Sequence, residues 1–262
     1  MTVRAVTAAV LAALIASIAV WAFVSRPDGR LHVTVLSTGT STAVLVRAED
    51  GSTVLVDGGS SPAQLLAALG RVMAPATSHL DMVVITGGEK TAVDGLTGLP
   101  GHYTVGTVVS PGGLTPGGDA VVAALANAGA TVLDTDGRAW SFGGATWRCA
   151  GFIALATARA MCALVIDDPT GRALVLGDAG TADQEDLCAV FGDQLAADLV
   201  VTPPGGAVSP VLVATSRPSE LAVPLAQGAP GVAGPHGYRT DRTGVDGDLE
   251  YAGGPDGLVA MP

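Results

Sequence analysis

The chain has 262 residues, of which 48% are hydrophobic, and this length is sufficient to bury one substantial core. Its formal net charge is −11, and a single lysine, Lys90, accompanies scattered arginines without any basic run. Nucleic-acid binding draws most of its affinity from clustered Lys and Arg at phosphates, so the composition argues against direct nucleic-acid binding.

The N-terminus begins with a short basic stretch, residues 1–4, followed by the uncharged and proline-free run 5–24. Twenty apolar residues are long enough to span a bilayer as a helix, and Trp21 and Phe23 stand where interfacial aromatic residues lie. The sequence therefore predicts a single-pass anchor with an extracytoplasmic domain behind a linker at 25–30. A cleaved signal peptide, which would release a secreted domain, is the alternative.

The remaining elements follow in chain order. Three β-branched runs predict an antiparallel meander over 31–59, and helical spacing after a possible Ser61 cap predicts a helix over 62–73. The sequence then predicts strands at 81–86, 104–110, 130–135, 197–202 and 211–215, helices at 118–128 and 182–191, and hairpins over 139–156, 161–178 and 236–251. These elements predict one domain, 31–251, of two packed sheets with helices outside, followed by a flexible tail at 252–262.

The three cysteines lack metal-finger spacing. Cys149 and Cys162 lie in apolar runs, which predicts buried free thiols, and Cys188 leaves an odd count. The four histidines are isolated from one another and from other donors at ligand spacing, so each is predicted to be a surface or hydrogen-bonded residue. They are His32, His79, His102 and His236.

Several stretches together resemble the C-terminal domain of the ComEC/Rec2 competence proteins, which has a metallo-β-lactamase fold. The opening strands end in D-G-G at Asp57, and LDMVVITGGEKTAVDGL aligns with the family's metal loop, with Thr86 and Gly95 matching. LVLGDAG places Asp178 at the bridging-carboxylate position, and YRTDRTG (238–244) matches the closing motif. The resemblance implies a four-layer αββα sandwich.

The resemblance also implies where zinc ligands belong, and this sequence departs from the family at those positions. No metal cofactor is therefore expected, although carboxylates could form a weak Mg²⁺, Mn²⁺ or Ca²⁺ site, with Glu89, Asp178 and Asp57 or Asp94 as candidates. The positions equivalent to the family's ligands are Gly87, Glu89, Thr91 and Ala92 in the loop, Asp178 after a hairpin, and Pro203 and Pro204 after a later strand.

We therefore expect a membrane-anchored, catalytically inactive domain with a binding or scaffolding role, and a protein partner of unknown identity. The alternative is a ComEC-like metal-dependent hydrolase or DNA-uptake component that works with an altered site. A decayed gene product without a selected function is a third possibility.

Overall fold

A computed structural model describes residues 27–74, 77–135, 137, 139–154, 159–229 and 238–261. The predicted anchor at 5–24 and His236 lie outside these residues. Among the helices that are described, none has both the length and the apolarity needed to cross a bilayer.

The first sheet contains eight of the described strands: β1 (His32–Val35), β2 (Val44–Arg47), β3 (Thr53–Val56), β4 (His79–Val84), β5 (Thr104–Ser110), β6 (Thr131–Asp134), β14 (Leu249–Ala252) and β15 (Val259–Ala260). Their order across the sheet is β15-β14-β1-β2-β3-β4-β5-β6. The predicted meander is confirmed, because β1, β2 and β3 pair antiparallel; β3 to β6 then pair parallel.

The second sheet contains seven described strands: β7 (Ala139–Phe142), β8 (Ala145–Ala154), β9 (Arg159–Asp168), β10 (Gly171–Val175), β11 (Leu199–Val201), β12 (Glu220–Val223) and β13 (Arg239–Arg242). Their order across the sheet is β13-β12-β11-β10-β9-β8-β7. Strands β7 to β10 form successive antiparallel hairpins, as predicted, and β10 to β13 pair parallel.

The helices cover the outer faces of the two sheets. The first sheet carries α1 (Pro62–Val72), the short α2 (Lys90–Val93) with a 3₁₀ turn at Asp94–Gly98, and α3 (Pro116–Asn127). The second carries α4 (Thr181–Phe191) and α5 (Pro210–Ser216), and a further short helix, α6 (Thr243–Asp246), follows β13. Residues of both sheets form the central core, so the layer order is helix, sheet, sheet, helix.

Sequence punctuation explains where the longer helices begin. Ser61 and Thr115 accept hydrogen bonds from the amides of Gln64 and Gly118, and a proline takes the first helical position of both α1 and α3. The glycine-rich stretch before α3 is accordingly a turn before a capped helix.

The predicted strand at 211–215 is wrong, because these residues lie within helix α5. Pro210 begins the helix, and the Ser209 hydroxyl accepts a hydrogen bond from the Val211 amide at 3.2 Å. The β-branched composition favoured a strand, and the cap together with packing on the second sheet decided for a helix.

The predicted hairpin at 236–251 is also wrong, since its two described strands belong to different sheets. Strand β13 pairs with β12, whereas β14 pairs with β1. Helix α6 joins them, and its buried Thr243 is held by Leu225, whose amide donates to the Thr243 hydroxyl at 2.8 Å.

The tail predicted to be flexible from residue 252 is instead packed on the domain. Val259 pairs with Ala252 as part of β15, and Leu258 is fully buried in the central core. The amide of Leu258 also donates to Asp198 Oδ2 at 3.3 Å. These contacts join residues that are far apart in the sequence. The polar, glycine-rich tail therefore shows no local pattern that would predict them.

The prediction that Cys149 and Cys162 are free thiols is wrong, because the two side chains form a disulfide. Cys149 lies on β8 and Cys162 on β9, displaced by two residues across the hairpin register, and both face the central core. Cys188 is a buried free cysteine on α4.

Candidate functional site

The residues singled out from the sequence meet at one end of the sandwich. Strands β3, β4 and β10 finish there, and the segments that follow them carry Asp57, Thr86 and Asp178. A hydrogen bond from Thr91 Oγ1 to Asp178 Oδ2, 3.1 Å long, joins the two sheets at this end. We call this the site end of the domain.

Asp57 is the most buried acid of the site end, with no exposed surface. Its carboxylate accepts two hydrogen bonds from Thr86, one from the amide at 2.8 Å and one from Oγ1 at 2.6 Å. Burial raises the pKa of Asp57 to about 8, against the lowering effect of the Thr86 hydrogen bonds and with a smaller raising contribution from Asp178. The Asp57 carboxyl group therefore has a structural role, which is to hold Thr86 in place.

The backbone at Asp57 adopts the left-handed conformation, with φ of 56°. This conformation is uncommon for residues other than glycine and is best tolerated by Asn and Asp. The amide of Asp57 donates to the Val84 carbonyl oxygen at 2.9 Å, so β4 holds the turn as β3 ends.

Glycines allow the loops of the site end to pack closely. A Cβ atom at Gly177 would lie 2.3 Å from Thr86 Oγ1, and one at Gly95 would lie 1.8 Å from the Gly58 carbonyl oxygen. The Gly95 amide also donates to the Gly59 carbonyl oxygen at 2.7 Å. The D-G-G turn and the loop that carries Gly95 are thus in backbone contact. A side chain would not fit at position 95 or at position 177.

Gly87, at the first ligand-equivalent position, is bound through its backbone. It forms an isolated antiparallel bridge with Met161, and the Cys162 amide donates to the Thr86 carbonyl oxygen at 2.8 Å. A Cβ atom at Gly87 would meet no atom within 4 Å, whereas one at Gly88 would lie 2.5 Å from the Thr115 amide nitrogen. Position 87 therefore has room for a side chain that the sequence does not supply.

The other loop positions serve as helix and turn residues. The Glu89 carbonyl oxygen accepts the amides of Ala92 at 2.9 Å and Val93 at 3.1 Å, which opens the short helix α2. Ala92 is buried, and its carbonyl oxygen accepts the Gly58 amide at 2.7 Å. Thr91 binds Asp178, so this loop is tied to the D-G-G turn and to the second sheet.

Asp178 is half-buried at the end of β10. Desolvation raises the pKa of its carboxyl group, the hydrogen bond from Thr91 lowers it, and the negative charge of Glu89 raises it. The two carboxylates therefore repel one another, which is the electrostatic condition for attracting a cation.

Pro203 and Pro204 follow β11, the strand next to β10, at the same end of the second sheet. Pro203 is buried, and its carbonyl oxygen accepts the Gly206 amide at 2.9 Å and the Thr202 hydroxyl at 3.1 Å. A tight turn therefore occupies the position that the family resemblance assigns to a histidine ligand.

The described histidines are surface or hydrogen-bonded residues, as predicted, and they lie away from the site end. His32 binds Asp28 at 3.0 Å at the start of β1, and His79 binds Thr104 Oγ1 at 2.9 Å at the start of β4. His102 is exposed in the turn before β5. In the part of the chain that the structure covers, no three His, Cys, Asp or Glu side chains come together as a metal site.

Thr86 matches the family motif in the sequence but had no predicted role, and Gly177 was not predicted as a site residue. Thr86 is the hydrogen-bond partner of the buried Asp57, and Gly177 permits β10 to end against that pair. The sequence indicated these roles only by position. Thr86 stands at the end of a predicted strand, and Gly177 directly precedes Asp178.

Comparison with solved structures identifies the architecture. The metallo-β-lactamase fold protein YhfI from Bacillus subtilis superposes with a TM-score of 0.54 at 16% identity, over 74% of this chain and 85% of that one. The chain has the metallo-β-lactamase fold.

Two further structures share this metallo-β-lactamase architecture with the chain. A diphosphatase of the PhnP family matches with a TM-score of 0.51 at 16% identity, over 74% of this chain and 86% of that one. The β-hydroxylase CmlA, in a mutant form, matches with a TM-score of 0.53 at 16% identity, over 82% of this chain and 52% of that one. No protein-family model and no curated protein matches the sequence.

Proposed function

We propose that the chain is a membrane-anchored metallo-β-lactamase-fold domain related to ComEC/Rec2 proteins, whose site binds or scaffolds a partner without hydrolysing a substrate. The observation that carries this proposal is the use of the metal-loop positions for packing. Gly87 forms a backbone bridge with Met161. The Ala92 carbonyl oxygen accepts a hydrogen bond from the D-G-G turn, and the Thr91 hydroxyl donates one to Asp178.

The residues present do not fit a zinc site. A hydrolytic zinc ion requires three or more nitrogen, sulfur or oxygen donors and an open position for water. Gly87 and Ala92 have no donor atoms, and Asp57 is fully buried with both oxygens bound to Thr86. Glu89 and Asp178 remain, and two carboxylates without imidazole suit a hard cation better than zinc.

The relation to ComEC/Rec2 proteins rests on the order of motifs along the chain. Three of these motifs, the D-G-G turn, the Thr86–Gly95 loop and the L-G-D turn, lie together at the site end through the contacts of Asp57 with Thr86 and of Asp178 with Thr91. The folded arrangement is what a common ancestor with that family predicts.

Export of the domain is supported by the Cys149–Cys162 disulfide. Disulfides persist in oxidising compartments outside the bacterial cytoplasm and are rare inside it. Together with the apolar run at 5–24, the disulfide favours an anchored domain on the extracytoplasmic side of the membrane. Secretion after signal cleavage is the alternative for the same compartment.

The test of the metal-free site is zinc and manganese content of the full-length chain purified in detergent, combined with thermal melts with and without each metal. We expect no stoichiometric metal and an unchanged melting temperature. Stoichiometric metal, or stabilisation by several degrees, would contradict the proposal, because a ligand of the native state stabilises it.

A designed variant tests whether the measurement detects a site. Gly87→His/Glu89→His adds two imidazoles to the loop whose Thr91 binds Asp178, and position 87 has open space for the new side chain. We expect this variant to gain zinc. Lys90→His is the matched control, since Lys90 is exposed and adds a histidine outside the pair.

A further inference from the structure

We propose that the site end of the domain faces away from the membrane, so that its partner reaches it from the aqueous compartment. This inference rests on the anchor in the proposed function, and it adds an orientation that the anchor alone does not give. The evidence is the place where the chain enters the sandwich.

Residues 27–31 are fastened to the end opposite the site, which we call the basal end. The Leu31 amide donates to Thr170 Oγ1 at 3.0 Å in the β9–β10 turn, and the Leu31 carbonyl oxygen accepts the Gly253 amide at 2.7 Å. Pro27 lies against the β2–β3 turn, because a Cβ atom at Gly51 would be 2.7 Å from Pro27 Cγ. Asp28 binds His32 at 3.0 Å.

Strand directions place the basal end and the site end on opposite sides. Strands β1 and β3 are both antiparallel to β2, and β4 is parallel to β3, so all three run in the same direction. The chain enters at the start of β1, whereas Asp57 and Thr86 follow the ends of β3 and β4. A six-residue strand such as β4 separates the two ends by about 20 Å.

The anchor leaves little freedom for the domain to turn over. Only residues 25 and 26 separate the apolar run ending at Val24 from the docked Pro27. Three successive Cα–Cα steps cover at most about 11 Å. The basal end must therefore stay beside the bilayer, and the opposite end is held in water.

The basal surface suits a position at the membrane–water boundary without insertion. Asp28, Asp50 and Asp167 are exposed there, in the entry segment and near the hairpin turns. Carboxylates are costly to move into hydrocarbon. Lipid contact therefore does not compete for the site end, which a partner can reach from the water.

The test is energy transfer from a fluorophore on the full-length chain to acceptor-labelled lipids in reconstituted vesicles. Arg47→Cys marks the basal end and Lys90→Cys marks the site end; both residues are exposed. The unsubstituted chain, whose Cys188 is buried, gives the labelling background. We expect strong transfer from position 47 and a clear loss of transfer at position 90.

Equal transfer from the two positions, or stronger transfer from position 90, overturns the orientation. If the chain dissociates from the vesicles, or if the purified chain lacks residues 5–24, both the proposed anchor and the proposed orientation are contradicted. The vesicle flotation and the mass of the purified chain separate that result from a reversed orientation, and neither affects the metal analysis.

Discussion

At the scale of single residues, the site end is organised around a carboxyl group that the fold uses internally. Asp57 is fully buried, takes the left-handed conformation, and bonds only Thr86 through its side chain among the described contacts. In its protonated form it can also donate to Thr86 Oγ1, so the pair does not require a charge. The protonation of Asp57 therefore affects the free energy of unfolding.

Stability is therefore expected to fall as pH rises from about 4 to about 8. The pKa of Asp57 is about 8 in the folded chain, above about 3.9 in unfolded chains, so the native state binds more protons between these values. The slope from this group is at most about 1.4 kcal/mol per pH unit. Denaturant unfolding across this pH range measures it.

Asp57→Asn is the matched variant for that pH dependence. Asparagine tolerates the left-handed backbone, its oxygen accepts the Thr86 amide, and its amide group donates to Thr86 Oγ1. We expect a folded variant whose stability varies less with pH between 4 and 8. An unchanged pH profile in Asp57→Asn would assign the dependence to other groups.

Close backbone packing gives a second prediction at this scale. Gly95→Ala places a methyl group 1.8 Å from the Gly58 carbonyl oxygen, so we expect a loss of several kcal/mol in unfolding free energy or failure to fold. Gly70→Ala is the control, because Gly70 is exposed within α1 with no atom within 4 Å of the new Cβ. It should stabilise by about 0.5–1 kcal/mol.

At the scale of elements, local signals succeeded where a cap or a turn decides the structure. The Ser61 cap predicted the start of α1, and the predicted hairpin over 139–156 forms with Gly143-Gly144 at the turn between β7 and β8. Prediction failed where partners distant in sequence decide. The disulfide depends on the β8–β9 register, and α6 joins two sheets through Thr243.

The β8–β9 disulfide is expected to contribute about 2–4 kcal/mol, since it restricts the unfolded chain across 13 residues of separation. Cys149→Ala/Cys162→Ala should lower the denaturant midpoint under oxidising conditions, and a reducing agent should then have no further effect on this double variant. The Cys188→Ala variant keeps the disulfide and should retain sensitivity to reductant. Equal stability of the oxidised and reduced native chain would contradict the assignment.

The C-terminal segment allows a direct test of its packing. Leu258 is fully buried, and a Cβ atom at Gly171 would lie 2.8 Å from its Cγ. Leu258→Ala should cost about 2–5 kcal/mol through lost burial and a cavity. Met261→Ala, at an exposed position of the same segment, should change stability by less than about 0.5 kcal/mol. Similarly small effects of both variants would instead support the prediction of a flexible tail.

At the scale of the whole molecule, the fold was predictable because its signals are repeated. Successive β-rich and α/β stretches predicted two sheets with helices outside, and the family resemblance carried by the D-G-G and L-G-D turns implied the αββα sandwich. The chemistry of the site was less predictable, because the sequence shows which donors are missing but not what the remaining groups bind. The contact of Thr91 with Asp178 needed the two sheets to be brought together.

The net charge of −11 gives the last prediction, which concerns DNA as a partner. At the site end, Glu89 and Asp178 add local negative charge, and phosphates would be repelled there. We expect no change in the fluorescence anisotropy of labelled single- or double-stranded DNA at low salt, where electrostatic binding is strongest. Salt-sensitive binding would instead indicate a local basic surface and favour the DNA-uptake alternative, and Glu89→Gln/Asp178→Asn should then tighten binding if DNA reaches the site end.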